Sequence, residues 1–214
     1  MEKTEKIAIF PLGLVLLPNM ILPLHIFEER YKEMISDCIK NKTNFGIVYY
    51  SGNDFHKSGC IASTVSIIKE YEDGRIEIVT EGKERFKITK IYNEKSYMEA
   101  DIEYFDDQYE LDGEAINLAK VEGLKLLQEI MKIYNENFDF SLVDHLNPKT
   151  VSFLIAANGG FTMEEKQFFL ETINTKERIE KGVKSLQIII DRLRVSKGIE
   201  KIIQSNGYLP KKHD

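Results

Sequence analysis

The period of the hydrophobic positions changes near residue 107. From Lys6 to about Asp107, short apolar runs rich in β-branched and aromatic residues are broken by Gly, Asn and Asp, the pattern of half-buried and buried strands. This predicts strands over residues 7–10, 20–22, 45–50, 62–71, 75–80 and 86–91. Asp73 and Gly74 sit between two of these runs and signal a hairpin, because both accept positive φ. One amphipathic helix interrupts the strands at residues 28–40, with Tyr31, Met34, Ile35, Cys38 and Ile39 on one face. Glu28 and Glu29 at its start and Lys40 at its end suit the helix dipole.

Beyond Asp106 and Asp107 the period lengthens to about 3.6 and the chain reads as helical. Residues 115–135 carry Leu118, Val121, Leu124, Leu127 and Met131 as a candidate stripe. Asn147 and Pro148 open a short helix, as cap and first-turn residue, and Gly159 and Gly160 close it. Thr162 with Glu165 forms a capping box, and Asn174 with Glu177 a looser one. The last helix, residues 175–205, places Ile179, Val183, Leu186, Ile190 and Leu193 on a stripe. Gly182 and Gly198 weaken it by ~1 kcal/mol each relative to Ala, which predicts bends there. The expected organisation is α+β: an antiparallel β-barrel lobe with one inserted helix over residues 1–107, then a helical bundle over residues 112–206. An acidic linker at 106–113 joins them within one unit spanning 5–206, and residues 207–214 form a flexible tail.

Composition narrows the function classes. Of 214 residues, 43% are apolar, enough for a substantial core, and 30% are charged with alternating sign, so the net charge of -6 reads as a solvated surface. No basic stripe of the kind that phosphate backbones demand is visible. The longest apolar stretch, residues 7–27, contains Pro11, Pro18 and Pro23 and reads as strands and turns, not a membrane span. Acidic residues at positions 2 and 5 argue against a secretory leader. Cys38 and Cys60, with no CxxC spacing, read as reduced thiols of a cytoplasmic protein, Cys38 on the buried helix stripe.

Motifs of reactive chemistry are mostly absent from the sequence. There is no GxxxxGK[ST] or GxGxxG phosphate loop, no GxSxG elbow and no paired-histidine metal motif. His56 and Cys60, four apart, lack the second pair that structural zinc needs. The pairs Asp106 with Asp107 and Glu164 with Glu165 read as solvated charge. The expectation is a non-enzymatic protein with no cofactor and no metal.

A series of linked motifs then points to a family. Phe10-Pro11-Leu12 is followed by Pro23-Leu24-His25-Ile26-Phe27-Glu28-Glu29-Arg30-Tyr31, then by Gly59-Cys60-Ile61-Ala62. Asp73-Gly74-Arg75 precedes Glu81-Gly82-Lys83-Glu84-Arg85-Phe86, and Lys166-Gln167-Phe168-Phe169-Leu170-Glu171 precedes Glu177-Arg178. In this order the motifs resemble the N-terminal, substrate-recognising domain of the Lon protease family, and they cover nearly the whole chain. The resemblance implies a PUA-like barrel followed by a helical bundle, and a part in recruiting unfolded or tagged proteins. It places ATP hydrolysis and the Ser-Lys dyad in other domains, so the expectation is a stand-alone recognition domain without ATPase or peptidase. Arg85 and Arg30 are expected to pair with carboxylates.

The expected partner is an exposed segment of another protein, with a protease as a second partner if the chain acts as an adaptor. Candidate contacts are Leu14, Val15, Leu16 and Leu17, apolar residues in a loop-like stretch between prolines, or else the cleft between lobes. The same four residues can instead pack into the core. Gating by a small molecule is a further version of this reading. RNA binding, known among PUA-like barrels, is the alternative; Lys83, Arg85, Lys87 and Lys90 are its candidate patch, against the acidic balance.

Overall fold

The computed structural model describes residues 4–52, 54–108, 113–134, 136 and 139–205. The first half holds β1 (Thr4–Leu12), β2 (Ile21–Ile26), α1 (Glu29–Asn41), β3 (Phe45–Tyr50), β4 (Phe55–Glu70), β5 (Ile76–Tyr92) and β6 (Met98–Phe105). The second half is helical, with α2 (Gly113–Ile133), α3 (Pro148–Asn158), α4 (Met163–Glu171) and α5 (Thr175–Ser205). Residues 109–112 of the expected linker and the tail beyond 206 lie outside the described residues.

The sheet order is β2-β5-β4-β3-β1-β6, and β5 also pairs with β6, so β5, β4, β3, β1 and β6 close into a ring. Each strand of the ring contributes to one small core, including Ile9, Val48, Ile61, Phe86, Ile88 and Ile102. A cluster fed by every strand of a closed ring is its interior. The alternate residues Phe10, Phe45, Ile47 and Cys60 face the other way and join a larger core. That core also takes in Met34 and Ile35 of α1 and Leu124, Phe153, Phe169 and Leu186 of the helical half. The strands are buried on both faces, which is why several of them read as unbroken apolar runs.

The β4–β5 hairpin is where the sequence places it, with Gly74 at φ 79 and its N–H bonded to the Tyr71 carbonyl at 2.9 Å. Three details depart from the sequence reading. The barrel is not wholly antiparallel: β1 and β3 run parallel, because β2 and α1 intervene and carry the chain back to the same end. The runs at 75–80 and 86–91 belong to one continuous strand, β5, which passes from the ring into an arm shared with β2 and the far half of β4. On α2 the buried face is Ile116, Gly123, Leu124, Leu127 and Ile130, whereas Leu118 and Val121 are exposed. Steps of three residues rotate by about 60° each around a helix, so a 118-121-124-127 series drifts off the face it starts on.

Caps hold the helical half as read. Asn147 Oδ1 accepts from Thr150 N, and Thr162 and Glu165 complete a reciprocal capping box. Asn174 Oδ1 accepts from Glu177 N at the start of α5. Gly182 has a packing role: a Cβ there would lie 3.1 Å from Ile155 Cγ2, so its bare backbone lets α5 close onto α3.

Candidate functional site

Val15, Leu16 and Leu17 are buried, at 2%, 1% and 0% exposure, and Leu14 is partly buried against the same core. The stretch is a loop, as read, but it fills the space between barrel and helices and presents no continuous docking face. Apolar side chains in a loop leave water whenever two faces are available to cover them, at roughly 1.5–3 kcal/mol each.

What those residues support is the turn that follows. Asn19 adopts the left-handed conformation, φ 64. Its N–H donates to the Gly82 carbonyl at 2.8 Å, and Gly82 N–H donates to the Met20 carbonyl at 2.9 Å. A Cβ at Gly82 would stand 2.1 Å from the Leu17 carbonyl oxygen, so this close approach requires glycine. The turn is thereby fixed to β5.

The facing wall is α3, and its position is set by charge. Arg178 of α5 and Arg85 of β5, 0% and 2% exposed at the side chain, converge on Asp107 just after β6. Arg178 donates to both carboxylate oxygens, at 3.0 and 2.5 Å, and Arg85 donates at 2.5 Å. Thr175 donates its hydroxyl to the same carboxylate. The remaining guanidinium donors reach the Leu170 and Thr172 carbonyls and the Ser152 hydroxyl, at 2.7 to 2.9 Å. Both guanidinium groups lie over the Phe153 ring of α3, Arg178 at 4.2 Å. Burial opposes the charge on Asp107, but hydrogen bonds from Arg178 and Thr175 outweigh it and hold the carboxyl below its ordinary range. Asp107 is thus a partly buried keystone of the junction and not a solvated linker charge. Asp106 beside it is exposed and pairs with Lys149. Arg30 pairs with Glu28, at the surface.

Between turn and helix runs a groove. One part, about 380 Å³, lies between Met20 and Ile21 on one side and Leu146, Leu154 and Ala157 on the other. It shares Pro18, Asn19, Thr150 and Phe153 with a second, more polar hollow of about 470 Å³ that reaches Lys83, Tyr104 and Lys149. Of these residues only the Pro18-Asn19 pair, a turn signal between apolar runs, marks a wall of the cleft in the sequence itself.

The basic patch is dispersed. Arg85 is buried at the junction, Lys83 is bonded to Glu81 at 2.6 Å, and Lys90 lies over the Tyr92 ring at 4.7 Å. Cys38 and Cys60 are buried and unpaired, and burial pushes both thiols up. His56 stacks on Tyr49 at 5.3 Å, with Glu171 3.7 Å away. Among the described residues no group of His, Cys, Asp and Glu is arranged to hold a metal ion, and no helix is long and apolar enough to cross a membrane.

Residues 6–187 match the sequence model of the ATP-dependent protease La (LON) substrate-binding domain. The chain belongs to this Lon family. It is 28% identical over 206 residues to a Lon protease of Anaeromyxobacter dehalogenans and 28% over 213 residues to one of Buchnera aphidicola subsp. Baizongia pistaciae. These alignments take in 89% and 92% of this chain but 24% and 27% of the relatives, so the chain spans only that part of their length. Among solved structures, the N-terminal domain of the Mycobacterium avium complex Lon protease superposes with a TM-score of 0.69 at 15% identity, covering 86% of this chain and 98% of that one. A Lon N-terminal domain protein from Xanthomonas campestris gives 0.63 at 18% identity, covering 83% and 96%. The Lon N-terminal fold is therefore shared, and the two motif arginines, Arg85 and Arg178, are the residues that clamp its halves together here.

Proposed function

We propose that this chain recognises exposed apolar segments of other proteins in the groove between the Pro18 to Ile21 turn and α3, without performing chemistry on them. The observation that carries this reading is a preformed apolar trough whose two walls are separately fixed, one by the Gly82 hydrogen bonds and one by the Asp107 cluster. A rigid groove spends little binding energy on ordering itself. Asn19, Thr150 and Asn158 on its margins offer amides and a hydroxyl that can fix a bound main chain. Membership of a substrate-binding family supports the same class of partner. That kinship also supports an adaptor role, in which captured segments pass to a protease.

RNA binding draws less support. Its candidate cations lose Arg85 to the junction and are interleaved with Glu81 and Glu84.

The test is binding of a permanently unfolded, fluorescently labelled polypeptide to the wild type and to Ile21→Asp, a variant at a 56% exposed groove position. A loss of tenfold or more in affinity with unchanged melting temperature is expected. Equal affinity in the folded variant rejects the groove.

A further inference from the structure

α5 packs into the molecule along one side, where it meets α2 and α3 and where Leu186 and Ile190 are fully buried. At about 100° per residue, Ile188, Val195 and Ile199 stand roughly 140–180° round the helix from Ile190, on the face turned away from the rest of the protein. They are 52%, 63% and 52% exposed, and with Asp191, Arg192 and Ser196 they line one continuous strip. Single aliphatic residues on a surface are ordinary, but three β-branched side chains in line on the outermost face of a helix form a patch. Their spacing, seven residues and then four, is that of a two-stranded coiled coil, with Ile188 and Val195 at one core position and Arg192 and Ile199 at the other.

The charges on the strip select what covers it. By the same 100° step, Asp191 flanks one side and Arg192 leans to the other. When two identical helices pair in parallel about a two-fold axis, the left flank of each meets the right flank of the other, so each arginine reaches an aspartate. Antiparallel pairing sets like flanks together, arginine beside arginine. Within its own helix Asp191 accepts from Gln187 Nε2 at 3.1 Å and lies 3.7 Å from Arg194, at the surface. Exposed contacts of this kind hold a carboxylate only weakly, so it can turn to a new cation.

We infer that the exposed strip of α5 is a self-association face, which joins two copies of this chain in a parallel two-fold contact through Ile188, Val195 and Ile199, with Arg192 of each copy paired to Asp191 of the other. Self-complementarity identifies the occupant: the aliphatic layers meet their own copies on the axis and the two charges meet each other, as a two-fold contact requires. The two bodies stay clear of one another, because the strip is opposite the side of α5 that packs on α2 and α3. α3 faces α5 through Ile155 and the groove through Leu154 and Ala157, so pairing leaves the groove open. Three aliphatic layers make a small contact, and the dimer forms reversibly with rising concentration. The inference is independent of what the groove binds, and either can fail alone.

Sedimentation equilibrium of the full chain is expected to show monomer and dimer in exchange, with a dimer fraction that rises with concentration. Val195→Asp places a charge within the strip and is expected to raise the dissociation constant tenfold or more, with an unchanged melting temperature where the wild type is monomeric. Arg192→Asp and Asp191→Arg are each expected to weaken pairing threefold or more, and an equimolar mixture of the two to recover it, because in the mixed pair every flank meets an opposite charge. Ile188→Cys reports orientation, since the native Cys38 and Cys60 are buried. In parallel pairing it is expected to cross-link to its own copy under mild oxidation; in antiparallel pairing centred on the strip the two thiols would stand roughly 15–20 Å apart, beyond disulfide reach. Dimers undiminished in Val195→Asp, charge variants that pair as the wild type does, a mixture that recovers nothing, or dimers that Ile188→Cys does not cross-link overturn the proposal. So does a wild type that stays monomeric, which would leave the strip to a partner of another kind.

Discussion

Arg178 and Asp107 stand 71 positions apart in the sequence and share a two-pronged ion pair at the junction of barrel and helices. Arg85 completes the cluster from β5. A carboxylate shared by two buried guanidinium groups, with the exposed Asp106 3.6 Å from Arg85 as the more distant second acid, is sensitive to removal, since desolvated charges are tolerated only while paired.

Asp107→Asn leaves the buried Arg178 without its carboxylate partner and Arg85 with only the exposed Asp106, 3.6 Å away. The expected cost is about 3–5 kcal/mol of stability, measured as a fall in the urea midpoint. The conservative Arg178→Lys keeps the charge but loses the fork that meets both oxygens, so it is expected to remain clearly less stable than the wild type. Wild-type stability in both variants would remove the keystone role of Asp107.

The same pair predicts a pH dependence with a definite sign. The Asp107 carboxyl is held below its ordinary value in the folded state. Its contribution is therefore complete above the unfolded-state value, about pH 4, and is lost as pH falls through that value toward the lower folded one. The stability difference between wild type and Asp107→Asn should stay level from pH 7 to about 5 and shrink below about pH 4. A difference that holds constant down to pH 3 would contradict the ion pair.

How much of this was legible beforehand depends on the range over which each signal acts. The hairpin at Gly74, the caps at Asn147 and Thr162 and the buried face of α1, apart from Ile39, which is exposed, depend on neighbours within a few residues, and the sequence carries them. The burial of Val15, Leu16 and Leu17 depends on β5 at Gly82 and on the rest of the large core, distant in sequence, and an apolar loop looks the same whether it faces solvent or core. Asp107 is indistinguishable from Asp106 in the sequence, although one is partly buried and the other exposed, because its partners lie at positions 85 and 178. The parallel pairing of β1 with β3 is likewise a property of the intervening crossover and not of either strand.

Gly82→Ala tests the closest backbone approach in the site. The added methyl would have to displace the Leu17 carbonyl, from which it would stand 2.1 Å away. The expected cost is about 1–3 kcal/mol, the range for overpacking, together with weakened capture of unfolded polypeptide because the turn that forms one groove wall must shift. Thermal melting and fluorescence titration read the two effects separately. A variant with wild-type stability would show that the turn is free to move.

Leu16 separates packing from recognition. At 1% exposure it is a core residue, and Leu16→Ala is expected to cost about 2–5 kcal/mol, from lost transfer energy and the cavity left behind. The fraction that remains folded should bind unfolded polypeptide with close to wild-type affinity, because the side chain touches no ligand in the proposed groove. Ile21→Asp should do the reverse, leaving the melting temperature in place and weakening binding. Affinities measured well below the melting temperature of each variant discriminate the two. If Leu16→Ala weakened binding more than tenfold while fully folded, the loop itself would have to open onto the ligand, and the burial that now accounts for its sequence would be only one of its states.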